Sequence, residues 1–230
     1  MTSDKPPADY YDHLGDRFDE YMSAYDVDRR RELIFSRLLA DVPLEGKRIL
    51  EVGCGTGKFS TVLRERGSDL TVLDIGRGLV RSVAGRVSSP GVVGDACRLP
   101  FRDAGFDAVV SSECVEHTPD PERAVAEMCR VVRPGGFVCL TTPNKLWYPV
   151  LVLAQALGLR KFAGTENWIF PGAAARVMRR DGLGEITLGG CHLWPFQLSF
   201  TRPLLRWVDR FGPALYPLMI NFGILGKKAP

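Results

Sequence analysis

The chain has 230 residues, 45% of them hydrophobic and 25% charged, with a formal net charge of +3. That is the make-up of a soluble globular chain, long enough to bury a core as one domain without disulfide staples. No basic run is longer than Arg29–Arg31, and Lys227–Lys228 is only a pair, so charge gives no argument for a nucleic-acid partner.

The polar start, MTSDKPPADYYDHL, has no apolar signal core. From Tyr10 to about Val42 the apolar spacing predicts helix, through Tyr11, Leu14, Phe18 and Tyr21 and then Leu33, Ile34, Leu38 and Leu39. Arg48–Val52 reads as a buried strand running into glycines. Phe59–Gly67 reads as a helix, Leu70–Asp74 as a strand, Leu79–Val87 as a helix and Val92–Val93 as a short strand. Phe106–Val110 is a fourth strand, Pro121–Val132 a helix and Gly136–Leu140 a fifth strand. A helical insert over Leu146–Leu159, a helix near Gly172–Arg180 and a strand near Gly184–Leu188 follow. Residues Asn221–Lys227 are the candidate final strand.

Near-continuous apolar strands alternating with helices predict an α/β fold with a mainly parallel sheet covered on both faces. The chain divides into an N-terminal helical lid (1–42), a core (43–142), a substrate-side insert (143–215) and a terminal strand (216–230). Ligands in such folds sit beyond the carboxyl ends of the strands. Six cysteines, at 54, 97, 114, 129, 139 and 191, form no C-x-x-C pair and read as buried thiols of a cytoplasmic protein.

On the expected edge, Glu51-Val52-Gly53-Cys54-Gly55-Thr56-Gly57 links a strand to a helix. The spacing is G-x-G-x-G, not the dinucleotide fingerprint G-x-G-x-x-G, and Glu51 is a poor neighbour for a pyrophosphate. This counts against a NAD-dependent oxidoreductase. Asp74, closing the second strand, can accept hydrogen bonds from a ribose diol. Asp95 can receive an adenine amino group. Three acids favour a phosphate-free nucleoside ligand bearing a cationic amine.

ILEVGCGTG, TVLDI, GDACRLPF, FDAVVSSECVEH and VVRPGG occur here in the order and spacing of the class I S-adenosylmethionine-dependent methyltransferases, which the chain resembles from about Tyr10 to Thr142. The resemblance implies a Rossmann-like sheet of seven strands, the last antiparallel. It implies S-adenosylmethionine as cofactor, with Glu51, Gly53, Gly55 and Gly57 around the methionine moiety, Asp74 and Ile75 at the ribose, Asp95 and Ala96 at the adenine, and Ser112 bordering the site. One of Arg29–Arg31 is expected to hold the methionine carboxylate, since a guanidinium pairs bidentately. Tyr11 or Tyr21 is the candidate to close over the cofactor.

The stretch ECVEHTPDP, residues 113–121, follows the fourth strand. If Glu113 to His117 form one helical turn, Glu113, Glu116 and His117 share a face. Three readings stand: the trio holds Mg²⁺ or another divalent cation; Glu116 and His117 act as catalytic acid or base; or the stretch only caps the next helix. A narrower resemblance to the ubiquinone-pathway O-methyltransferases, through E-x-x-E-H, the turn Thr142-Pro143-Asn144 and Gly164-Thr165-Glu166-Asn167-Trp168, implies the metal. It departs in the last forty residues. Trp147, Trp168 and His192 are candidate substrate contacts, and the aromatics of this half imply an aromatic or apolar small-molecule acceptor. His13 reads as solvated or part of the lid. The expected reaction is O-methylation of a phenolic, quinone-like or natural-product acceptor. The alternative is C- or N-methylation of a natural product or sugar without metal. Residues 146–159 and the tail RPLLRWVDRFGPALYPLMINF are candidates for peripheral membrane contact or a homodimer interface.

Overall fold

Five of the seven strands are runs of buried apolar residues, and in each the side chains alternate between two separate cores. A computed structural model describes residues 23–158, 166–197 and 199–230. Helix α1 (Ala24–Glu32) continues as a wider π-helical turn over Leu33–Leu38, where the Leu39 amide donates to the Ile34 carbonyl at 2.9 Å. Then follow β1 (Arg48–Val52), α2 (Lys58–Glu65), β2 (Asp69–Asp74), α3 (Arg77–Val87), β3 (Gly91–Val93) and β4 (Phe106–Ser112). The second half holds α4 (Pro121–Val131), β5 (Val132–Pro143), α5 (Tyr148–Ala156), α6 (Pro171–Arg180), β6 (Leu183–Cys191), α7 (Arg202–Val208), α8 (Gly212–Leu215) and β7 (Asn221–Lys228).

The sheet order is β3-β2-β1-β4-β5-β7-β6. Strands β3, β2, β1, β4 and β5 pair in parallel, and β7 pairs antiparallel with both β5 and β6. Leu50, Val52 and Val109 face α4 and α6, whereas Ile49, Ala108 and Val110 face α1, α2 and α3. Side chains with no exposure, such as Ile49 and Leu50, each stabilise the fold by about 1.5–3 kcal/mol through burial. Helix α4 begins where its residues say it should: Pro121 occupies the first turn and the Asp120 carboxylate accepts the Arg123 amide at 2.9 Å.

The expected fold class and antiparallel last strand hold. Boundaries shift where glycine was read as an ending. β6 runs on through Gly189 and Gly190 to Cys191; a Cβ on Gly190 would lie 2.8 Å from the Met219 sulfur, so the bare backbone there is a packing requirement. The tail before β7 is helical, which apolar residues on more than one side concealed. Tyr11, Tyr21 and His13 lie outside the described residues. All six cysteines are free, and Cys54, Cys129, Cys139 and Cys191 are buried.

Candidate active site

The glycine loop leaves β1 and is pinned to β2. The Gly53 and Cys54 amides donate to the Leu73 carbonyl at 2.8 and 3.0 Å. Gly53 (φ +77°) could not carry a side chain, because a Cβ would lie 2.5 Å from the Cys114 Cβ. Gly55 (φ +48°) has open space where its Cβ would stand, and Gly57 leads into α2. The loop therefore turns a bare backbone surface outward at Gly55 and packs tightly behind at Gly53.

Two acids stand behind this cradle. Glu51 is buried and accepts the Ser60 hydroxyl; burial, with the nearby Asp74 charge, pushes its carboxyl up to about 8. Asp74 accepts the Gly55 amide at 2.9 Å on Oδ2 and the Gly76 amide at 3.0 Å on Oδ1. Burial raises its carboxyl despite these bonds. Each carboxylate oxygen keeps acceptor capacity beyond its one amide. Asp95 Oδ1 accepts the Cys97 amide at 2.8 Å, beside buried Ala96, and Ile75 is exposed at the end of β2. An open glycine, a two-oxygen acceptor and buried acids that a cation would ionise fit S-adenosylmethionine.

The 113–121 stretch follows β4 on the same edge. The expected single helical turn does not form, and the shared face of Glu113, Glu116 and His117 is corrected. Glu113 sits in left-handed backbone (φ +53°), and a 3₁₀ turn begins only at Val115. Glu113 accepts from Asn221 Nδ2 at 2.9 Å on Oε2, while its buried Oε1 has no partner. Glu116 is buried; its Oε2 accepts the Thr142 hydroxyl at 2.9 Å, and its Oε1 lies 4.0 Å from His117 Nε2. Burial raises both carboxyls, and the Glu116 charge raises that of Glu113 further. Two acids coupled in this way ionise one at a time more readily than together. Among the described residues no group of three His, Cys, Asp or Glu side chains is arranged to hold a metal ion. As placed, the Glu113–Glu116–His117 trio does not fit the expected divalent cation.

Arg30 ties α1 to this edge. It bonds Asp26 at 2.9 Å and the Ser112 hydroxyl at 3.1 Å, and Ser112 in turn contacts the Thr141 hydroxyl at 3.0 Å. Arg29 instead binds buried Asp209 at 2.9 Å, and Arg31 lines an outer pocket with Asp28, Phe35 and Arg66. Of the three expected arginines, only Arg30 reaches the edge. His192 is completely buried (φ +64°), with Nε2 3.0 Å from Asp26 Oδ1 and its ring 4.6 Å from that of Phe196. It is thus a packed partner of α1. Trp147 donates from Nε1 to the Leu218 carbonyl at 2.9 Å. Trp168 is held edge-on to Tyr148, at a centroid distance of 5.9 Å, next to Asn167, whose amide donates to the Glu116 carbonyl at 2.7 Å. Sequence reading does not single out Asp26 or Asn221. Asn144 of the Thr142-Pro143-Asn144 turn donates from its side chain to the Pro217 and Met219 carbonyls.

Residues 50–140 match a family model described as a methyltransferase domain. A demethylmenaquinone methyltransferase from Renibacterium salmoninarum is 35% identical over 54% of this chain, which spans 56% of that relative's length. A ubiquinone biosynthesis O-methyltransferase from Chromobacterium violaceum is 31% identical over 64% of this chain and 68% of its own length. A solved S-adenosylmethionine-dependent methyltransferase from Thermotoga maritima shares the fold, with a TM-score of 0.68 at 17% identity over 95% of this chain and 98% of that one. With the glycine cradle, its acids and these relatives together, the chain belongs to the S-adenosylmethionine-dependent methyltransferases.

Proposed function

We propose that the protein methylates a hydroxyl oxygen of a small phenolic or quinone-like acceptor. The observation that carries this reading is the Glu113–Glu116 carboxyl pair at the end of β4, beside the cofactor cradle. The names of the ubiquinone and demethylmenaquinone relatives point to the same acceptor class. S-adenosylmethionine, when bound, would supply an electrophilic methyl group on a sulfonium, whose carbon–sulfur bond breaks with its electron pair leaving on sulfur.

The chain's own residues hold and prepare the reactants. Asp74 accepts the ribose hydroxyls, Asp95 faces the adenine amino group, and Glu51 lends negative charge on the amine side. Arg30 stands at the end of β4 for a carboxylate. Holding donor and acceptor in line is worth on the order of 7–11 kcal/mol of the barrier. On the acceptor side, the ionised member of the carboxyl pair takes the hydroxyl proton. The O–H electron pair stays on oxygen, which forms the new bond to carbon. His117 Nε2 stands 4.0 Å from the Glu116 carboxyl. Trp168 and Tyr148 give the acceptor an apolar wall.

The test uses the purified chain, labelled S-adenosylmethionine and a catechol carrying an isoprenoid tail, with the position of the label read by NMR. Label on oxygen is expected; label on carbon or nitrogen, or no transfer, overturns the reading. Glu116→Gln should lower kcat about 10²–10⁴-fold, the range for a lost acid–base group, with cofactor affinity unchanged by calorimetry. Turnover should survive EDTA.

A further inference from the structure

Helix α7 and its flanking turns are apolar on two adjoining sides. Leu205 and Val208 are buried against the fold. Phe200, Leu204, Trp207 and Phe211 instead meet solvent, Phe200 at 81% exposure and the others at about half. Their spacing of four, three and four residues places them on one stripe of a helical rod. Arg206 and Arg210 are exposed beside it, and Arg202 continues the same four-residue step, partly held by the Phe196 carbonyl at 3.2 Å. Asp209, the one acid among residues 199–220, is buried against Arg29 and adds no outward negative charge.

A second stripe repeats the spacing on the insert, through Leu146, Val150, Leu153 and Leu157, all substantially exposed. The Trp147 Nε1 bond to the Leu218 carbonyl ties the insert to the turn that precedes β7. The described residues contain no helix long and apolar enough to cross a membrane.

We propose that this face docks on an anionic lipid bilayer, with the α7 stripe in the headgroup–acyl boundary and Arg206 and Arg210 on lipid phosphates. An outward apolar stripe with an aromatic at its centre and arginines along its flank is the pattern of an interfacial helix. Exposed apolar area on this scale marks a contact surface. A second copy fits less well, because a two-fold contact sets the same patch against itself and so brings like-charged arginines together.

The test is flotation of the full chain with vesicles of phosphatidylcholine alone or mixed with phosphatidylglycerol. It needs neither cofactor nor acceptor, so its outcome is separate from that of the methyl-transfer reading. Binding to the anionic vesicles is expected, with a blue shift of tryptophan fluorescence that Trp207→Phe removes. Arg206→Glu with Arg210→Glu should weaken partitioning roughly tenfold or more. Leu204→Ser with Trp207→Ser should abolish it, and Arg102→Glu, at the opposite end of the sheet, should not change it. Thermal melts confirm that each variant folds. Equal binding by wild type and the α7 variants, or no binding to either vesicle, overturns the proposal. So does a dimer in solution that Leu204→Ser with Trp207→Ser dissociates.

Discussion

Gly53 and Gly55 share a left-handed backbone and differ in what stands opposite them, and the difference separates stability from binding. An alanine at Gly53 meets Cys114 at 2.5 Å as well as backbone strain. Gly53→Ala is expected to cost about 2–4 kcal/mol, seen as a lower urea midpoint, and to weaken cofactor binding along with it. At Gly55 the new methyl meets no protein atom, so Gly55→Ala should cost only about 1 kcal/mol, the strain of a left-handed alanine. Its methyl would occupy the cradle, so calorimetry should show S-adenosylmethionine affinity reduced at least about tenfold, the loss expected when a closely approaching group is displaced. If Gly55→Ala binds normally, the cofactor does not approach that backbone. The glycines were legible in the sequence because only they occupy such turns cheaply. Glu113 and His192 were not, since nothing in a glutamate or a histidine announces a positive φ.

Helix α1 and strand β4 are joined by one guanidinium. Arg30 is buried between Asp26 and Ser112, and its positive charge also restrains the Glu113 carboxyl. Removing it strands Asp26 in the interior with only His192 as partner. Arg30→Ala should therefore cost about 3–5 kcal/mol by denaturant titration, the usual result of orphaning a buried charge. Cofactor affinity should fall further than in an equally destabilised core variant. Strands β1, β2 and β4 could be read from sequence because burial on both faces demands unbroken apolar runs. This clamp could not, because Arg30 and Ser112 lie 82 residues apart in the chain, and Asp26 and His192 lie 166 apart. The tail rod escaped for the opposite reason: its apolar residues lie on two sides, and prolines at 203, 213 and 217 interrupt the pattern.

At the scale of the whole molecule, buried acids set how stability follows pH. The ordinary glutamate value is 4.5; burial holds Glu51 near 8 and Glu116 near 7. Both folded values are raised, so the folded state keeps protons that the unfolded chain has released. The stability they contribute is complete below about pH 4.5 and is lost as pH rises through 7 to 8. Asp26, Asp107 and Glu127, lowered by their arginines, act in the other direction and lose their contribution on acidification. The melting temperature should accordingly peak in mild acid and decline toward pH 9. Glu51→Gln should flatten the alkaline limb, and an unchanged slope would show that Glu51 is ionised in the folded protein. The order of the sheet carries a consequence of another kind. Strand β7 follows β6 in the chain yet lies between β5 and β6. During synthesis β6 therefore emerges with no neighbour in the sheet, and its backbone donors wait for residues 221–228 to clear the ribosome. The β5–β7–β6 half of the sheet therefore waits for residues 221–228, and an apolar strand edge stays open to chaperones until that strand pairs.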